Sequence, residues 1–68
     1  MSRRVLAVDP GDERIGLALS DETGTIASPL RVIRHQARMV DAAQIAALAA
    51  EQGAVLIVVG QALGDDGE

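Results

Sequence analysis

The stretch Val5–Asp21, VLAVDPGDERIGLALSD, decides how the chain is read. Val5-Leu6-Ala7-Val8 is continuously apolar and ends on one acid, Asp9. Such a run predicts a central strand buried on both faces. Pro10-Gly11-Asp12-Glu13 is turn chemistry, because Pro fixes φ and Gly permits positive φ. Ile15-Gly16-Leu17-Ala18-Leu19 then returns as a second strand, paired with the first as a hairpin, and Gly16 marks a bulge or a close backbone approach. An acid at the end of a buried strand is costly unless it is paired or holds a metal. Asp9 is therefore the leading site residue. Its structural alternative is a turn cap, bonded to the amides of Gly11 or Asp12.

Working outward, Asp21-Glu22-Thr23-Gly24 is a second turn, in which Asp21 serves the turn. Thr25 to Arg34 is a third strand, and Pro29 places it at an edge or gives it an irregular start. Gln36 to Gln52 is predicted helical, with Ala42, Ile45, Leu48 and Ala49 as the stripe that lies on the sheet and Gly53 as its stop. The other alanines give high helix propensity. Ala54 to Val59 is again apolar and β-branched. A strand that follows a helix and is buried on both faces, as this run predicts, pairs parallel with an earlier one, here strand one. The order is β-β-β-α-β, an α/β arrangement with a mixed sheet. Asp9 and the loop after Gly60 then share the edge where such sheets bind ligands.

Composition sets further bounds. The chain has 68 residues, no cysteine and no aromatic residue, so Val, Ile, Leu and Ala must do the packing. A domain of this size is marginal alone. No second helix is available for the other sheet face, so residues 1–68 are expected to form the N-terminal part of a single larger domain whose C-terminal half is missing. The first apolar run is too short for a signal peptide or a membrane span, so no membrane partner and a cytoplasmic location are expected. Net charge is −4, the wrong sign for a general nucleic-acid surface, and all six basic residues are Arg, the better fork for phosphate. Asp12-Glu13 reads as solvated turn charge with a local ion pair to Arg14. Asp65 and Asp66 read as a solvated acidic turn, or as a second carboxylate near Asp9. His35 has no Ser or Cys partner for a triad and reads as a surface residue. Neither a Walker loop nor a GxGxxG motif is present.

These motifs together resemble the YqgF/RuvX family of pre-16S rRNA nucleases and Holliday junction resolvases. The matching residues are Asp9, Gly11, Arg14-Ile15-Gly16 and Ser20-Asp21, then Ala27-Ser28-Pro29-Leu30, Val59-Gly60 and Asp66-Gly67. The resemblance runs from end to end and is specific in combination. It implies a ribonuclease H-like fold and a nuclease that uses Mg²⁺ or Mn²⁺. The implied substrate is the 5′ end of the pre-16S rRNA, with branched DNA as a second one. Asp9 falls on the family's first catalytic, metal-binding carboxylate, and Gly11 and Arg14 fall in the turn expected to contact substrate. The family's other acids are a Glu in an Asp-Glu-Arg motif beyond the next strand and an Asp in the last helix. Neither position exists in these 68 residues, so the isolated chain is expected to be inactive. Asp12-Glu13-Arg14 spells the same letters but lies in the first turn. Two positions depart from the family: Glu13 stands where a basic residue is usual, and Gln61-Ala62 replaces Leu-Pro. Two other classes fit an Asp-x-Gly turn between strands. One is an actin-like or sugar-kinase nucleotide-binding protein, and the other is a non-catalytic binding module.

Overall fold

A computed structural model describes residues 3–60. Asp65, Asp66 and the Gln61-Ala62 departure lie outside the described residues. The elements run β1 (Val5–Pro10), β2 (Arg14–Ser20), β3 (Ala27–Arg34), α1 (Arg38–Gln52) and β4 (Leu56–Val59). They form one mixed sheet in the order β3-β2-β1-β4, with β1–β2 and β2–β3 antiparallel and β1–β4 parallel. The β1–β2 hairpin and the parallel β1–β4 pair are as predicted, and the structure adds the place of β3 beside β2. Among the described residues no helix is long and apolar enough to cross a membrane.

The pleat divides β1. Leu6 and Val8 face α1 and are buried, whereas Val5 and Ala7 are half-buried and Asp9 is exposed. Ile15 and Leu17 of β2 complete the sheet side of the core, and Leu48 and Ala49 complete the helix side. The expectation that β1 is buried on both faces is therefore corrected to burial on one. The described residues place a single helix over the sheet, and Val5, Ala7 and Asp9 look the other way. β4 is corrected more strongly. All four of its residues are exposed, with Val59 at 66%, because it is an edge strand paired with β1 alone and α1 sits over β1 and β2. An apolar edge of this kind is ordinarily paired or covered in stable sheets.

β3 begins at Ala27, two residues later than predicted, and is an exposed edge. Pro29 sits where the β2–β3 register shifts, opposite Ala18, so the missing ladder donor falls at an irregularity. The bulge lies between Leu17 and Ala18, not at Gly16. At the far end of the β1–β2 hairpin, Ser20 is buried and its Oγ accepts the Val5 amide at 2.8 Å, closing the ladder with a side chain. Asp21 has the predicted turn role: its Oδ1 accepts the amides of Thr23 and Thr25 and the Thr23 hydroxyl. These bonds, the hydroxyl first, hold its carboxyl below the usual value.

α1 starts at Arg38 rather than Gln36, because Ala37 is extended at the N-cap. Asp41 organises this start. Its Oδ1 accepts the Gln36 amide at 3.0 Å and its Oδ2 meets Nδ1 of His35. A carboxylate in the first turn also suits the helix dipole. Asp41 is buried, so the inward stripe is Asp41, Ile45, Leu48 and Ala49, while Ala42 is exposed. The spacing i, i+4, i+7, i+8 is helical in either reading; a satisfied acid takes the place assigned to an alanine. At the other end, Gly53 adopts φ 73° and the Ala54 amide reaches the Ala49 carbonyl at 2.9 Å, closing the helix as predicted.

Two outcomes follow from this core. Leu48→Ala removes one of six buried apolar side chains that make up the core cluster. It is expected to cost about 2–5 kcal/mol, a loss that abolishes a cooperative urea transition in a marginal domain. Asp41 is held below the ordinary carboxylate value of 3.8, first by the Gln36 amide and then by His35. Its contribution is thus present above that value and is lost as pH falls through the lower folded value. The urea midpoint of the wild type should drop on acidification below 3.8. Asp41→Asn should lower the midpoint at neutral pH and flatten that acid limb, leaving the part due to Asp21.

Candidate active site on the open face of the sheet

The turn after β1 is tight because of Gly11. A Cβ there would lie 2.6 Å from the Arg14 carbonyl oxygen, so the requirement is close backbone approach. Positive φ, the predicted reason, is seen among the described glycines only at Gly24 and Gly53. Pro10 belongs to β1, opposite Ile15, and the turn proper is Gly11 to Glu13. The turn delivers Arg14 as the first residue of β2.

Asp9 is the penultimate residue of β1 and pairs with Gly16, which in turn pairs with Val32 of β3. The three form one row across the open face. Gly16 leaves the space beside Asp9 clear: a Cβ at Gly16 would meet the Asp9 Cβ only at an ordinary 3.9 Å. On β1's other side, the Gly60 amide donates to the Val8 carbonyl at 2.9 Å. Gly60, at the exit of β4, is thus held beside the end of β1 that carries Asp9, and the loop after it lies outside the described residues. A shallow hollow on this face is lined by Ala7, Asp9, Gly16, Ala18, Val32 and Val58 among others.

Asp9 is exposed, and among the described residues its carboxylate makes no hydrogen bond or ion pair. The turn-cap alternative is therefore not what the structure shows, and neither is a buried acid in need of a partner. Among the described residues, the candidate site holds one carboxylate without a polar partner on a floor of small and apolar side chains. Such a group offers hard oxygen donors of the kind Mg²⁺ and Mn²⁺ accept. It is not a complete cage, since the described residues contain no cluster of three or more His, Cys, Asp or Glu.

The remaining candidates separate clearly. Arg14 stands on the same face as Asp9, one pleat repeat from Gly16. The expected ion pair of Arg14 with Asp12 or Glu13 does not form among the described residues. His35 is exposed, as expected, but tied down: its amide donates to the Glu13 carbonyl at 2.8 Å and its ring meets Asp41. It thus ties the β1–β2 turn to the start of α1. Sequence reasoning missed this link. Its only trace was an acid six residues after the histidine, inside the first helical turn. Arg34 was also passed over; it pairs with Arg14 across β2 and β3.

The chain matches the RuvX family, described as Holliday junction resolvase, over residues 3–68. It is similar to a protein named "Putative pre-16S rRNA nuclease" from Caulobacter vibrioides, 44% identical over 93% of this chain and 40% of the relative. Proteins of the same name are 51% identical in Kineococcus radiotolerans, over 91% of this chain and 34% of the relative, and 47% identical in Anaeromyxobacter sp., over 94% and 47%. The chain therefore spans less than half the length of these curated relatives. With the strand order, the Asp9 hairpin and the family match in agreement, the chain belongs to the RuvX family and carries part of its ribonuclease H-like α/β fold.

Proposed function

We propose that these residues are the first part of a metal-dependent nuclease that trims the 5′ end of pre-16S rRNA, with Asp9 as its first catalytic carboxylate. The observation that supports this most is the state of Asp9: a carboxylate at the end of the central strand, exposed, with no partner among the described residues and with glycine beside it. Family membership and the relatives' names supply the reaction class.

Asp9 would hold Mg²⁺ or Mn²⁺ through its oxygens, and the metal when bound would supply charge neutralisation at a phosphodiester. One carboxylate does not hold such an ion tightly, so the other acids of the site belong to the rest of a protein of the relatives' length. On this reading the 68 residues are inactive by themselves. The tight Gly11 turn sets Arg14 at the mouth of the site, where its planar fork suits a phosphate. Ala7, Ala18 and Gly16 keep the floor low, so a bulky backbone can approach Asp9.

In the full-length protein, Asp9→Asn should reduce divalent-metal-dependent cleavage of a pre-16S rRNA substrate by more than about 100-fold. That exceeds the loss usual for residues one step removed from a metal. The melting temperature should be unchanged or raised, since Asp9 makes no stabilising contact among the described residues. Cleavage at the wild-type rate by the Asn variant would refute the role.

A further inference from the structure

We infer that Arg14 and Arg34 form a two-pronged clamp for the sugar–phosphate backbone of a nucleic acid, on the open face beside Asp9. The inference rests on the nuclease reading for the kind of anion, and on the register for the site itself. Arg14 and Arg34 are direct partners in the antiparallel β2–β3 pair, and both are exposed. Like charges directly opposite one another on a sheet are destabilising. Neither guanidinium has a hydrogen bond or an ion pair with any described residue. Two adjacent forks of fixed positive charge are thus left with all their donors open, and an anion between them would remove the repulsion.

The placement selects the ligand. Asp9, Gly16 and Val32 form one row across the sheet. Arg14 and Arg34 are two residues further along β2 and β3, so they form the next row on the same face, about 7 Å away along the strands. Across the strands the arginines are offset from β1 by one and two spacings of about 5 Å. A chain of phosphates crossing this corner would meet the arginines and then the carboxylate. A single small anion would engage the clamp without reaching Asp9. Asp12 and Glu13 line the same corner, together with His35. They lower the net potential there without pairing to either arginine among the described residues.

The test is binding in EDTA, which separates it from cleavage. A fluorescent single-stranded RNA of pre-16S sequence is titrated with the full-length protein from low to moderate salt. Arg34→Gln should weaken binding and make the slope of log affinity against log salt shallower by about 0.7, the loss of one phosphate contact on a single strand. Arg34→Lys should restore the slope, and Arg3→Gln, at the opposite end of the sheet, should leave it unchanged. The melting temperature of Arg34→Gln should stay level or rise, because a purely structural arginine would lower it. An unchanged slope in a folded Arg34→Gln variant would overturn the clamp, as would a wild type that does not bind RNA. The two proposals fail separately. Full activity of Asp9→Asn alongside a shallower Arg34→Gln slope would sink the nuclease assignment and keep the clamp.

Discussion

The alternation of β1 governs this molecule. Two residues per repeat send Leu6 and Val8 into the helix-covered core and Ala7 and Asp9 to the open face. The apolar contacts of Leu6 and Val8 with Ile15, Leu17, Leu48 and Ala49 hold the strand in register. A slip of one residue would bury Asp9 and expose Leu6, so the core enforces the position of the acid. The same period carries across the ladder, and Gly16, Val32, Arg14 and Arg34 reach the open face because Leu17 and Ile15 must not.

Around that strand, polar groups settle the ends of the elements. Ser20 closes one end of the hairpin, Asp21 winds the turn that follows, and Asp41 with His35 joins the start of α1 to the β1–β2 turn through the Glu13 carbonyl. Each buried or half-buried polar group in this set has its hydrogen bond, as the cost of an orphan demands. Asp9, Arg14 and Arg34 lack such partners among the described residues. Asp41 is held on two sides, whereas Asp9 is held on none among the described residues, and this contrast is what the proposed role of Asp9 rests on.

Much of this was legible beforehand. The apolar runs, Pro29, Gly53 and the β-branched stretch before Gly60 announced the five elements and their order, because strand and helix periods and turn chemistry act locally. The Asp9 turn and the motifs after it announced the family. Burial was legible only in part. A continuous apolar run cannot say how many layers will cover it, so β1 and β4 were expected to be enclosed on both faces, and β4 is an exposed edge. The helix stripe was displaced by one residue because a hydrophobic period gives no place to a buried aspartate, which is tolerable only with the Gln36 amide and His35 brought to it.

The sequence by itself determined the elements, their order and the position of one acid at the end of the central strand, since those depend on neighbours along the chain. The tertiary structure alone decided what shares a face with that acid. Arg14 and Arg34 are twenty residues apart in the chain and become partners through the β2–β3 register, which includes a bulge between Leu17 and Ala18. Composition and spacing do not encode that shift. It arises where Pro29 cannot donate to the ladder, and the pairing from Gly16 to Arg14 is set beyond it.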